Sequence, residues 1–100
     1  MNKRLQIRKD VAKINVHISD GVNLFQGTVK NISDSGLAIS DVSPELDSQA
    51  ELLSITMSLD GRTYRLRAFP RWISEDDHYK TIGVRVISAP RNWYKFVYTL

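Results

Sequence analysis

The sequence has no cysteine, which removes disulfides, thiolate zinc sites and cysteine nucleophiles at once. Apolar runs are short, as at Leu52-Leu53, far below the ~20 residues of a membrane helix. The opening Met1-Asn2-Lys3-Arg4-Leu5-Gln6 turns polar before the apolar stretch of a secretory signal can develop. A cytoplasmic location is therefore the expectation, with no membrane span. Histidines number only two, His17 and His78, and neither has the carboxylate spacing of a metal site. One sign of charge barely dominates: 14 Lys and Arg against 11 Asp and Glu leave +3, a mild preference for anions that names no ligand. A chain of 100 residues has room for one core, so a separate catalytic domain is not expected. Met1 reads as a native start and favours a complete chain over a piece of a larger one.

What is present is period-2 alternation. Ala12, Ile14, Val16 and Ile18 alternate with Lys13, Asn15 and His17, and Phe25, Gly27 and Val29 alternate with Gln26 and Thr28. These are half-buried strands, paired as a hairpin through Ser19–Asn23 with its Asp20-Gly21 turn. Leu37-Ala38-Ile39 follows as a short third strand. Asp41–Gln49 reads as a polar surface crossing with one helical turn. Leu53, Ile55, Met57 and Leu59 form the cleanest strand, and Asp60-Gly61 turns the chain into Arg62–Ile73. There Tyr64, Leu66 and Ala68 face inward and Pro70 deletes a ladder donor, which predicts a bulge or an edge near Phe69–Arg71. A break at that point would shift the facing of Trp72. Ile82, Val84 and Val86 make a sixth strand. Trp93, Phe96, Val97 and Leu100 then recur at helical spacing behind Pro90. The expected fold is mainly β: a small six-stranded antiparallel barrel over residues 11–100, closed by a short C-terminal helix and preceded by a flexible arm over residues 1–10.

Two polar constellations carry the chemistry. Arg4-Leu5-Gln6-Ile7-Arg8 sets two guanidinium forks on one side of the chain, suited to bidentate phosphate contacts and to stacking on a base. Alone it is also an ordinary solvated basic terminus. Asn31-Ile32-Ser33-Asp34-Ser35-Gly36 ends the second strand. By alternation Asn31 and Ser33 share one side and Ile32 points inward, and Gly36 provides the backbone freedom to reverse the chain. Alone it is also an ordinary turn.

In this order, separated by the 22 residues from Lys9 to Lys30, the two motifs resemble those of the PilZ family of bacterial cyclic di-GMP receptors, Arg-x-x-x-Arg followed by Asp/Asn-x-Ser-x-x-Gly. The Trp72 strand, Gly83 and the closing helix are also similar, and Pro70 departs from the family pattern. The resemblance implies a non-enzymatic receptor with no cofactor, whose ligand is cyclic di-GMP and whose output passes to a downstream protein effector. Arg4 and Arg8 would clamp the ligand, Asn31 and Ser33 would read a guanine edge and hold phosphate, and Gly36 would permit close approach. Lys3 would influence the number of ligands bound; Asp34, Ser35, Trp72, Arg71 and Arg85 are further expected contacts.

Other residues read more plainly. Asp76-Asp77 are solvated loop carboxylates without the opposed placement of an acid/base pair, and no serine elbow exists, so no catalytic residue is expected. Trp93 belongs to the core. Trp72 is assigned to core packing first and to a ligand wall second. Arg62, Arg65, Arg67 and Arg71 form a solvated strand face. Two other functions compete: a small-barrel binder of single-stranded nucleic acid, which wants aromatics interleaved with basic residues, and a PilZ-like adaptor that meets only proteins, through the apolar Trp93–Leu100 terminus.

Overall fold

The computed structural model of the chain describes residues 9–33, 35–47, 49–59 and 61–99, with backbone alone over 9–13. Its elements are β1 (Lys9–Ser19), β2 (Leu24–Ile32), β3 (Gly36–Val42), β4 (Leu53–Leu59), β5 (Arg62–Glu75), β6 (Lys80–Ser88) and α1 (Arg91–Tyr98). The strands close into an antiparallel barrel in the order β1-β2-β3-β6-β5-β4. Closure follows from the alternation. Ile14, Val16, Ile18, Leu53, Ile55, Met57, Tyr64, Leu66, Ala68, Ile82 and Val84 all turn inward and are buried, each large side chain contributing about 1.5–3 kcal/mol.

Two segments depart from the sequence reading. The 43–52 crossing contains no helix, and within it Leu46 is buried as part of the core. Lys80 is buried too, at 4% exposure. Its Nζ donates to the Leu46 carbonyl at 2.9 Å and lies 3.5 Å from the Glu75 carboxylate, which is 61% exposed. One cation thus ties the crossing to the β5–β6 hairpin. Because water screens Glu75 but not Leu46, the carbonyl bond carries most of the energy. Lys80→Met is expected to destabilise the domain by about 1–3 kcal/mol and Glu75→Gln by less than about 1 kcal/mol in urea titrations. Equal losses would assign the tie to the ion pair instead.

Pro70 introduces the expected irregularity. The β5–β6 register shifts between Pro70 and Trp72, and again between Arg67 and Ala68. In a closed barrel an edge position is not available, so the missing donor is absorbed as a bulge.

The two ends of the barrel differ. One carries the β1–β2, β3–β4 and β5–β6 connections, and every carboxylate with a described side chain lies there, from Asp20 through Glu45 and Asp47 to Asp76 and Asp77. The N–H groups of Asn23, Val22 and Asp47 hold the Asp20 carboxyl below its ordinary pKa, and those of His78 and Tyr79 do the same for Asp76. The other end carries the β2–β3 and β4–β5 turns and α1. Trp93 of α1 is 0% exposed and plugs this mouth against Tyr64 and Phe96.

Candidate functional site

The site forms where β2 turns into β3. Alternation along β2 stops at Ile32, which is fully buried. Ser33 does not share an exposed face with Asn31: it is 2% exposed because its side chain closes the turn. Ser33 Oγ accepts from the Gly36 N–H at 3.1 Å, and the Ser33 N–H donates to the Gly36 carbonyl at 2.9 Å. The Val86 N–H donates to Ser35 O at 2.8 Å, fastening the turn to β6.

Gly36 is needed for another reason than chain reversal. Positive φ among the described glycines occurs at Gly21 and Gly61, not at Gly36. Gly36 opens β3 opposite Arg85, and a Cβ there would lie 2.5 Å from the Val84 carbonyl oxygen. Close approach of two backbones excludes a side chain.

A surface cavity of about 450 Å³ lies beside this turn, lined by Ser33, Ser35, Gly36, Leu37, Arg71, Trp72, Gly83, Val84 and Arg85. Its size suits a small organic ligand. Trp72 corrects the sequence expectation: it is 46% exposed and belongs to the outer wall instead of the core. The bulge after Pro70 turns it outward, and it pairs with Gly83. Its indole lies across Gly83, where a Cβ would meet Nε1 at 2.1 Å. That isolated glycine within a strand was a legible sign of close approach. Arg71 and Arg85 are exposed on the walls. No carboxylate lines the cavity among the described residues, so its electrostatics favour an anion.

Of the residues singled out from sequence, the structure brings Ser33, Ser35, Gly36, Arg71, Trp72 and Arg85 to one cavity. Asn31 stands at half-exposure on β2, beside Ala38 of β3 and Asp10 of β1 in register. Lys3, Arg4, Arg8 and Asp34 lie outside the described residues. Lys9, the residue after Arg8, pairs with Ile32 next to the turn. Sequence reasoning missed Leu37 and Val84 as lining residues. Both His17 and His78 are exposed, and no group of three potential metal ligands occurs among the described residues. No described helix is long and apolar enough to cross a membrane.

Three solved structures share the fold. The inhibitor of motility MotI/DgrA of Bacillus subtilis superposes with a TM-score of 0.78 at 20% identity, over 97% of this chain and 48% of that one. The PlzA protein of Borreliella burgdorferi, solved in complex with c-di-GMP, gives 0.63 at 15% identity, over 83% of this chain and 41% of its own. The PilZ domain of CeSA from a cellulose-synthesizing bacterium gives 0.64 at 22% identity, over 91% and 89%. The chain thus spans about half the length of MotI/DgrA and less of PlzA. No curated protein matches the sequence. The PilZ domain model matches residues 2–92, and with motif order, barrel and family model in agreement, the chain belongs to the PilZ domain family.

Proposed function

We propose that this chain is a cytoplasmic receptor for cyclic di-GMP, bound between the Ser33–Gly36 turn and the arginines of the N-terminal segment. PilZ domains are regulatory receptor or effector domains and not catalytic ones, and one structural neighbour was solved with this ligand. The observation that carries the reading is the cavity, where a hydroxyl-bearing turn, an indole and two guanidinium groups meet without a carboxylate among the described residues. Cyclic di-GMP offers the complement, two phosphodiester charges and two purine faces. In this reading Arg4 and Arg8 clamp phosphates and a base, with Lys3 beside them. Asn31, Ser33 and Asp34 read the guanine edge, Ser35 and Gly36 shape the floor, and Arg71, Trp72 and Arg85 close the far wall. Pairing of Lys9 with Ile32 delivers the chain to the rim of the site. Ligand would order the arm preceding the barrel and so alter contacts with a downstream protein.

Isothermal titration with cyclic di-GMP tests this directly. Each charge-assisted hydrogen bond contributes roughly 1.5–3 kcal/mol, so several of them reach the roughly −8 kcal/mol of micromolar binding after association costs. Arg8→Ala and Arg85→Ala are each expected to weaken binding by about tenfold or more. No heat at tens of micromolar protein, or unchanged affinity in both variants, would sink the proposal. Equal binding of a DNA oligonucleotide with steep salt dependence would point to the nucleic-acid reading instead.

A further inference from the structure

The charges of this barrel are sorted. Every described carboxylate sits at the end bearing the three long connections, while each exposed cation lies on the outer wall or at the helix-bearing end. Among the described residues the only ion pair is the one made by buried Lys80. The exposed arginines are therefore left with solvent as their counterpart.

They are concentrated on the outer face of β5 and β6, and apolar side chains lie between them. Arg65 and Arg67 alternate outward along β5 to Phe69, which pairs with Arg85. Ile87 occupies the register shift next to Arg67. Phe69 and Ile87 are each 44% exposed. Arginine interleaved with aromatic and aliphatic side chains is the composition of a protein interface core more than of a solvated sheet face. The acidic end offers the opposite sign with its own apolar tips: Val22 at 84%, Leu24 at 68% and Tyr79 at 51% exposure stand beside Asp20, Asp76 and Asp77.

We propose that the β5–β6 face docks the acidic end of a second copy of this chain. Opposite charges and exposed apolar groups occur on both surfaces, so the complement of the face is present within the molecule. Because the two surfaces differ, the contact is heterologous. Each copy that docks leaves one face and one end open, and assembly proceeds head to tail instead of closing as a two-fold dimer. Neither surface includes the Ser33–Gly36 turn, so the association is independent of cyclic di-GMP.

Sedimentation velocity without ligand tests it. The sedimentation coefficient of the wild-type chain is expected to rise with protein concentration at low salt. That rise should be lost near 1 M salt, where the screening length falls from about 10 Å at 0.1 M to about 3 Å. R65E/R67E removes the face and E45K/D77K removes the end, and each variant alone is expected to stay monomeric while keeping the wild-type circular dichroism. Their equimolar mixture restores one competent face and one competent end and is expected to yield a dimer that grows no further. A wild-type chain monomeric at all concentrations would overturn the proposal. So would association unaffected by either variant, or a mixture that remains monomeric.

Discussion

Replacing Trp93 with alanine is expected to cost the domain about 3–5 kcal/mol, a large share of the about 5–15 kcal/mol available to a protein of this kind. Trp93 is 0% exposed and sits at the centre of an aromatic cluster. Tyr64 meets it edge-on at 5.7 Å and 69°, Phe96 at 5.7 Å and 45°, and Tyr64 stacks on Phe96 at 5.4 Å and 27°. An eight-residue helix does not persist in water by itself, so this anchor is what holds α1 over the barrel mouth. Alanine would leave a void that a closed barrel cannot collapse into. Buried Trp93 Nε1 has no hydrogen-bond partner, a cost the native state already bears. Trp93→Phe removes that donor while keeping a ring, and is expected to retain most of the stability lost in Trp93→Ala. Guanidinium titrations of the three proteins decide the matter; an alanine loss below about 1 kcal/mol would mean that the helix is not anchored here.

The second large effect is expected at Gly83. A Cβ there would stand 2.1 Å from Trp72 Nε1, 2.2 Å from Cε2 and 2.7 Å from Cζ2, so Gly83→Ala must lift the indole from its seat. Forced overpacking of this kind costs about 1–3 kcal/mol. The displaced indole enters water, and in a Trp93→Phe background its emission is expected to shift to the red. The three nearest atoms all belong to Trp72, so in a Trp72→Ala background Gly83→Ala should be close to neutral. Equal costs in the two backgrounds would remove the contact as the cause. Cyclic di-GMP titration of Gly83→Ala then asks separately whether the wall formed by Trp72 is needed for the proposed binding.

The residues that could and could not be read from sequence differ for physical reasons. Alternation at Ile14–Ile18, Leu53–Leu59 and Tyr64–Ala68 gave strand identity and facing, because a period of two with one face buried admits little else. Pro70 announced its bulge through its missing N–H. Leu46 and Lys80 were not legible: the first stands alone in a polar crossing, and the second is buried by a carbonyl 34 residues away in sequence. Tertiary contacts of that kind leave no local pattern. Trp72 was assigned inward because size and apolarity favour the core, yet the register shift beside it turned the ring outward. Gly36 was rightly singled out but for the wrong reason, since a steric limit set by β6 cannot be seen from β3. The turn motif and its cavity came together as the paired motifs implied, while Arg4 and Arg8 fall outside the described residues.

Barrel closure also orders events in time. The seam between β1 and β4 joins only Val16–Ser19 to Ser54–Met57, whereas β4 meets β5 along its whole length. Its partners are separated by more than a third of the chain, so loop-closure entropy must be overcome before the seam gains anything. β1 should therefore be the last strand to dock during folding and the first to peel away. The segment carrying the N-terminal arginines leads directly into that strand, which makes the arm continuous with the most easily opened part of the sheet.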